Sequence, residues 1–201
     1  MSSWIDLKQD PFKVFGQWFE AAIKETDFEP TKLTLATLGA DGLPSARVVL
    51  LKAYDSEGFV FFTNFDSVKG EELKNNPKAA MVFHWQKPFH RQVRIRGLVE
   101  KLSFAESNAY FQTRERGSQI GAWASPQSHK ISGRQELMER VQLFEDKFAN
   151  QEIPCPENWG GYRVKPMSLE FWQSGEHRLH DRIRFIRKDL LSPWTAEYLA
   201  P

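Results

Sequence analysis

The chain has 201 residues, 41% hydrophobic and 26% charged, with a formal net charge of +1. That is the make-up of one soluble globular domain, and so small a net charge excludes a global field that would draw it to nucleic acid. One cysteine, Cys155, excludes an internal disulfide and cysteine-based metal sites.

No apolar run approaches the roughly 20 residues of a membrane span, and Met1–Asp6 lacks the pattern of a signal peptide. A soluble, cytoplasmic protein with no membrane partner is therefore expected. Aromatic content is high, at 13% with 16 Phe and 7 Trp. Such a content suits an aromatic core, a large subunit interface or stacking surfaces for a flat ligand.

Asp10-Pro11 predicts a helix start, with Asp as N-cap and Pro at the first helical position. Phe12, Phe15, Trp18, Phe19, Ala22 and Ile23 follow at helical spacing, giving a helix over about 11–26. Strand text begins at Leu33–Leu38 and turns at Gly39-Ala40-Asp41-Gly42. It resumes over Ser45–Tyr54, where Val48-Val49-Leu50-Leu51 reads as a strand buried on both faces. After Asp55-Ser56-Glu57-Gly58, Phe59–Thr63 gives a third strand. Tight turns between short strands predict an antiparallel meander.

A short helix from Asp66 or Ser67 to before Pro77 comes next, then strands over Ala79–Trp85 and Gln92–Lys101. Ser103-Phe104-Ala105-Glu106 is a capping box opening a helix to about Arg114. Ser132-Gly133-Arg134-Gln135 reads as a second, opening a helix with Leu137, Val141, Phe144 and Phe148 inward. Strands over Tyr162–Gln173 and His177–Arg187, joined at Ser174-Gly175, end the chain. The fold class expected is mainly β: an antiparallel barrel with peripheral α-helices, forming a single domain over 1–201.

The chain lacks the dinucleotide fingerprint G-x-G-x-x-G, the P-loop and the nucleophile elbow. Five stretches carry polar groups in patterns worth weighing. Arg47-Val48-Val49-Leu50-Leu51-Lys52 brackets an apolar strand with cations; by alternation they face opposite ways unless a bulge intervenes. Phe62-Thr63-Asn64-Phe65-Asp66-Ser67-Val68-Lys69 runs a strand into a helix start with one lysine, a pattern that fits a phosphate or an ordinary helix cap. Gln92, Arg94 and Arg96 share a strand face, either solvated or binding.

Tyr110 and Arg114, four apart on one helix face, join Ser118 as a set suited to a phosphate monoester, or form a plain Tyr–Arg pair. Finally, Trp172-Gln173-Ser174-Gly175-Glu176-His177-Arg178-Leu179-His180-Asp181-Arg182, read as a strand after Gly175, puts Arg178, His180 and Arg182 on one face. Leu179, Ile183 and Phe185 take the other. His177 and His180 then point oppositely, so no metal site is expected.

In their order, R-V-V-L-L-K from Arg47, F-F-T-N-F from Phe61, R-Q-V-R from Arg91, S-Q-I-G-A-W from Ser118 and E-F-W-Q-S-G-E-H-R-L-H-D-R from Glu170 closely resemble the pyridoxamine 5'-phosphate oxidase family. The resemblance runs from about Asp10 to Pro201. It implies an FMN-binding split β-barrel that oxidises pyridoxamine 5'-phosphate or pyridoxine 5'-phosphate to pyridoxal 5'-phosphate. Hydride would pass from C4' to flavin N5, with O2 as acceptor and H2O2 released. It further implies a homodimer with FMN at the subunit interface and C-terminal dimerisation and active-site strands over about 162–201.

By matching motifs, Arg47 and Lys69 should hold the FMN phosphate. Val48, Val49, Leu50, Leu51 and Lys52, with Phe62, Thr63, Gln92, Trp172 and Arg182, should line the cofactor. Gln127 and Ser128 should reach it from the partner subunit. Lys52, Tyr110, Arg114 and Ser118 should hold the substrate phosphate, with Arg178 and His180 flanking the substrate ring as the catalytic pair.

Three residues depart from the family pattern. Val68 stands where an Arg is usual beside the FMN phosphate, Arg96 where a Glu is usual, and Tyr198 where an Arg is usual in the tail. The N-terminal extension that closes over the site in some members is short. Two other readings follow from the residues: a flavin- or pyridoxal-phosphate-binding split barrel with little oxidase activity, motivated by Val68 and Tyr198, and a single-strand nucleic-acid binder using Arg91, Arg94 and Arg96. The near-zero charge and the full motif order argue against the second.

Overall fold

The computed structural model describes residues 5–25 and 28–201. The expected end of the first helix at about residue 26 and the segment Met1–Trp4 lie outside the described residues. Helix α1 spans Pro11–Ile23, with the Asp10 carboxylate accepting from the Phe12 and Lys13 N–H groups. Its buried stripe holds the expected residues and adds Val14, but loses Ile23, which is half exposed because it falls at the free end of the helix.

Strands β1 (Lys32–Leu38), β2 (Pro44–Leu50), β3 (Ala53–Asp55) and β4 (Gly58–Asn64) follow, then α2 (Val68–Asn75), β5 (Lys78–Trp85) and β6 (Arg91–Lys101). Helices α3 (Phe104–Gln112), α4 (Arg116–Ala124) and α5 (Arg134–Lys147) lead to β7 (Trp159–Gln173), β8 (Asp181–Ile186) and β9 (Thr195–Tyr198). The nine strands among the described residues form one sheet, ordered β2-β1-β5-β6-β7-β4-β3, with β8 on β7 and β9 on β8. Every pairing is antiparallel, as expected.

The two ends of that path, β2 and β3, are separated only by Leu51 and Lys52. The Leu51 N–H still donates to Thr31 O, beside β1, whereas the Lys52 N–H donates to Val60 O on β4. One strand thus hands over from one end of the sheet to the other, which forces the sheet to roll up into a barrel. This handover, not a simple bulge, separates Arg47 from Lys52. Strand β2 is consequently an edge and not a doubly buried strand: Val48 is 63% exposed.

The barrel interior and α1 share one aromatic core. Phe15, fully buried, meets Tyr54, Phe59 and Phe83 edge-on with centroids 4.8–5.3 Å apart. Burying a side chain of this size stabilises by about 1.5–3 kcal/mol. A second cluster, Phe111, Ile120, Phe148, Ile153, Cys155 and Trp159, sits beneath α3, α4 and α5 and fixes the helical lobe against β7.

The Ser103–Glu106 capping box forms as read. The second does not: Gly133 is the N-cap of α5, and Ser132 bonds Glu136 rather than using Gln135. Along α5 itself Leu137, Val141 and Phe144 are only partly buried, and Phe148 enters the core from the C-cap position. Helix α4 escaped the sequence pattern because Gly117 and Gly121 weaken its helical signal and Glu115 makes no side-chain cap. It is held instead by burial of Gln119, Ile120 and Ala124.

Candidate active site

A cavity of about 620 Å³ opens between the edge of β2, the end of β4, the start of α2 and helices α3 and α4. That volume suits a small-molecule ligand. Its floor is a stack of three near-parallel rings: Phe62 lies 4.0 Å from Tyr110 and 5.4 Å from Trp159. Arg114 covers the Trp159 ring at 4.7 Å. Helix α4 and its C-cap line another wall with small groups, among them Ser118, Gly121, Ala122 and Ser125.

Cations dominate the rim. Lys69, on the first turn of α2, donates from Nζ to Gln127 Oε1 at 2.7 Å, Thr63 Oγ1 at 3.0 Å and Ser67 Oγ at 3.2 Å. Burial, then the nearby Arg47 charge, lowers the Lys69 pKa to about 8, opposed in part by Glu72. Arg114 Nη1 is buried with no hydrogen-bond partner, and burial lowers the guanidinium pKa. An orphaned polar group of this kind costs about 1–3 kcal/mol, more when charged. Two desolvated cations in a cavity with a stack of rings match the donor set that a phosphorylated heteroaromatic group needs.

Of the residues picked out from sequence, Val48, Val49, Leu50, Lys52, Phe62, Thr63, Lys69, Tyr110, Arg114, Ser118 and Gln127 all line this cavity. Arg114 does so from the turn beyond α3, which ends at Gln112, and not from the helix face expected. Gln127 accepts from Lys69 and Thr63 of its own chain. Leu51 is buried in the core, 4% exposed.

Arg47 does not line the cavity. Its Nη1 donates to Thr37 Oγ1 and Leu35 O, and its Nη2 to Ser45 Oγ and Glu72 Oε2. Burial pushes the Glu72 carboxyl up, but hydrogen bonds from Ser45 and Thr37 and the Arg47 charge outweigh it and hold it below the usual range. Val68 and Ser128 line a neighbouring cleft with Asp41, Asp66, Glu71 and Glu72.

Gln92, Trp172 and Arg182 stand elsewhere. They are in register across β6, β7 and β8, on the sheet face opposite Val93, Phe171 and Ile183. Between Gln173 and Asp181 the chain is not a strand. Glu176–Arg178 is a single 3-10 turn, with His177 and Arg178 both left-handed at φ 53° and 64°. The expected face shared by Arg178, His180 and Arg182 therefore does not exist, and Leu179 is 71% exposed instead of entering the core.

The turn is tied at its neck. The Gly175 N–H donates to His180 Nδ1 at 3.2 Å, and the His180 ring tilts over Trp172 at 4.6 Å. A Cβ on Gly175 would lie 2.0 Å from Leu179 O, so only glycine fits the neck.

Sequence reasoning missed Glu72, Thr37 and Ser45 around Arg47, and Glu170, which pairs with Arg94 and Arg182. In sequence Glu72 reads as one more acid on a solvated helix, and only its partners mark it.

The sequence matches the family model "Pyridoxamine 5'-phosphate oxidase" over residues 19–146 and "Pyridoxine 5'-phosphate oxidase C-terminal dimerisation region" over 159–201. It is 53% identical over 192 residues to the pyridoxine/pyridoxamine 5'-phosphate oxidase of Psychromonas ingrahamii, covering 96% of this chain and 87% of that protein. With the same-named protein of Salinibacter ruber it shares 50% identity over 196 residues, covering 97% and 91%.

Among solved structures, PhzG from Burkholderia lata 383, in complex with tetrahydrophenazine-1-carboxylic acid, superposes with a TM-score of 0.90 at 29% identity, covering 98% of this chain and 95% of that one. A pyridoxamine 5'-phosphate oxidase-related, FMN-binding protein of Nostoc punctiforme, at TM-score 0.77 and 15% identity over 98% and 100% of the two chains, shares the fold. The barrel is thus the split barrel of these proteins, and the chain belongs to the pyridoxamine 5'-phosphate oxidase family.

Proposed function

We propose that the chain is an FMN-dependent oxidase converting pyridoxamine 5'-phosphate or pyridoxine 5'-phosphate to pyridoxal 5'-phosphate, working as a homodimer whose sites are shared between copies. The observation that carries this reading is the ring-floored cavity walled by Lys52, Lys69 and Arg114, with Arg114 Nη1 unsatisfied.

Lys69 at the start of α2, with Thr63 and Gln127 bonded to it, suits the FMN phosphate, where backbone N–H groups of the helix add to the lysine charge. Arg47 contributes charge from behind, held by Glu72. Lys52, Tyr110, Arg114 and Ser118 suit the substrate phosphate. The separation of the two residue sets supports the shared site. Trp159 lines the cavity and Trp172 lies near the other end of the same 15-residue strand, β7. At about 3.3 Å per residue that is roughly 43 Å of strand. A second copy supplies Gln92, Trp172, Arg178, His180 and Arg182 to the cavity of the first without any such span.

FMN held there would supply the redox chemistry, acting as acceptor for hydride from the substrate C4', with O2 as final acceptor and H2O2 released. The protein's own task is alignment. Arg178, presented on its left-handed turn, presses the substrate ring into place and donates to its 3-oxygen. His180 accepts from Gly175 at Nδ1, so its Nε2–H faces outward as a donor for the same ring. Positioning of this kind contributes about 7–11 kcal/mol in favourable cases.

The test is an absorption spectrum of the purified protein, followed by oxygen uptake on adding pyridoxamine 5'-phosphate. A flavin spectrum with oxygen consumption is expected. Yellow protein that consumes no oxygen with either phosphate would establish the alternative, a flavin- or pyridoxal-phosphate-binding protein with little oxidase activity. Arg178→Ala should lose turnover while retaining FMN, and normal turnover at saturating substrate would refute its role.

A further inference from the structure

Glu170 is one of the few buried charged side chains, 7% exposed, yet it sits on the outer face of β7 with Trp172. Its two oxygens serve two arginines. Oε2 accepts from Arg94 Nη1 at 3.0 Å; Oε1 accepts from Arg182 Nε at 3.0 Å and Nη2 at 2.8 Å. The third nitrogen of Arg182, Nη1, donates to Ala200 O at 2.7 Å. The Leu199 N–H donates back to Arg182 O at 3.0 Å. The last residues of the chain therefore wrap Arg182 from the side that Glu170 leaves open.

An ordinary surface pair between β8 and its other neighbour, β9, shows what is unusual. Arg184 and Glu197 pair with side chains 39% and 43% exposed, against 24% and 9% for Arg182 and Glu170. Exposed pairs like the first contribute little. Arg182 instead has its guanidinium plane fixed by all three nitrogens, in register with Trp172. Two N–H bonds remain free to meet a flat acceptor.

We infer that Glu170 and the main-chain carbonyl of Ala200 are positioning groups that fix Arg182 against the flavin, so that the C-terminal tail is part of the cofactor site. The inference rests on the reading of Arg182 as a flavin contact.

The test follows FMN release from the diluted holoenzyme by recovery of flavin fluorescence. A chain ending at Tyr198 loses both tail bonds to Arg182, whereas a chain ending at Ala200 keeps them. The first should release FMN about tenfold faster, as should Glu170→Gln, and the second should behave as the full chain. Glu197→Gln, which breaks only the neighbouring pair, should leave release unchanged.

Retention of FMN by the chain ending at Tyr198 would overturn the inference, as would equal loosening by Glu197→Gln, which would mark a general weakening of the strands. Arg182→Ala separates the two levels. If it does not speed release, the flavin reading of Arg182 itself fails; if it does and the truncation does not, only the tail inference fails.

Discussion

Placement of the two residue sets near opposite ends of β7 leads to a sharp expectation for mixed dimers. Lys69→Ala disables the cavity half, and Arg178→Ala disables the turn beyond β7. Each homodimer has both of its sites broken. In a mixed dimer with shared sites, one site combines both lesions and the other combines the intact cavity of one copy with the intact turn of the other. Random reassortment makes about half of the dimers mixed, with one good site of two, so about a quarter of wild-type activity should return. The assay is oxygen uptake after co-unfolding and refolding the two inactive variants at equal amounts, with size exclusion to confirm dimers. If each site were built from a single chain, every site in the mixture would carry one lesion. No recovery above the separate variants, with mixed dimers present, would refute the geometry argued from β7.

Three further outcomes follow from the site. Lys69 has its pKa lowered from 10.5 to about 8, chiefly by burial. As a depressed lysine it burdens the folded state below about pH 8, and that burden is relieved as the pH rises toward 10.5. A bound phosphate needs the charged form, so FMN affinity should fall above about pH 8; in Lys69→Arg, which stays charged, flavin titrations from pH 7 to 9.5 should be flat. Gly175→Ala would drive a methyl against Leu179 O, 2.0 Å away, and displace the turn carrying Arg178. Turnover should drop at least about tenfold, with stability lower by about 1–3 kcal/mol in urea melts; normal turnover would show that the turn does not set Arg178. Val68 lies in the acid-lined cleft beside the cavity and not in it. Val68→Arg should therefore tighten FMN by less than the roughly tenfold that one charge-assisted hydrogen bond supplies, as read by flavin-fluorescence quenching.

Local order was legible where it depends on neighbours in the chain. Asp10-Pro11, the Ser103–Glu106 box and the turn glycines between short strands each act over a few residues, and each produced the expected element. The cavity residues from β2, β4, α2 and α3 were legible for the same reason, since strand ends and helix starts carry recognisable polar groups. Two errors share a cause. Val48-Val49-Leu50-Leu51 looks doubly buried because hydrophobicity alone cannot tell a central strand from an edge strand. The stretch after Gly175 alternates like a strand, yet the neck at Gly175 and two left-handed residues turn it into a loop, a conformation that His and Arg do not announce.

By itself the sequence determined the antiparallel β class, the aromatic core along α1 and the polar and cationic character of the motifs. These follow from side-chain chemistry and short-range periodicity. Only the tertiary structure decided which motifs share a cavity. The two-residue handover at Leu51-Lys52 rolls the sheet and brings Lys52 to β4, and the length of β7 holds Trp172 far along the strand from Trp159. It also showed that Arg47 and Arg182 are each held by a buried carboxylate, Glu72 and Glu170. The physical reason is that a charge's role depends on its partners and its distance from solvent, and long-range strand pairing sets both.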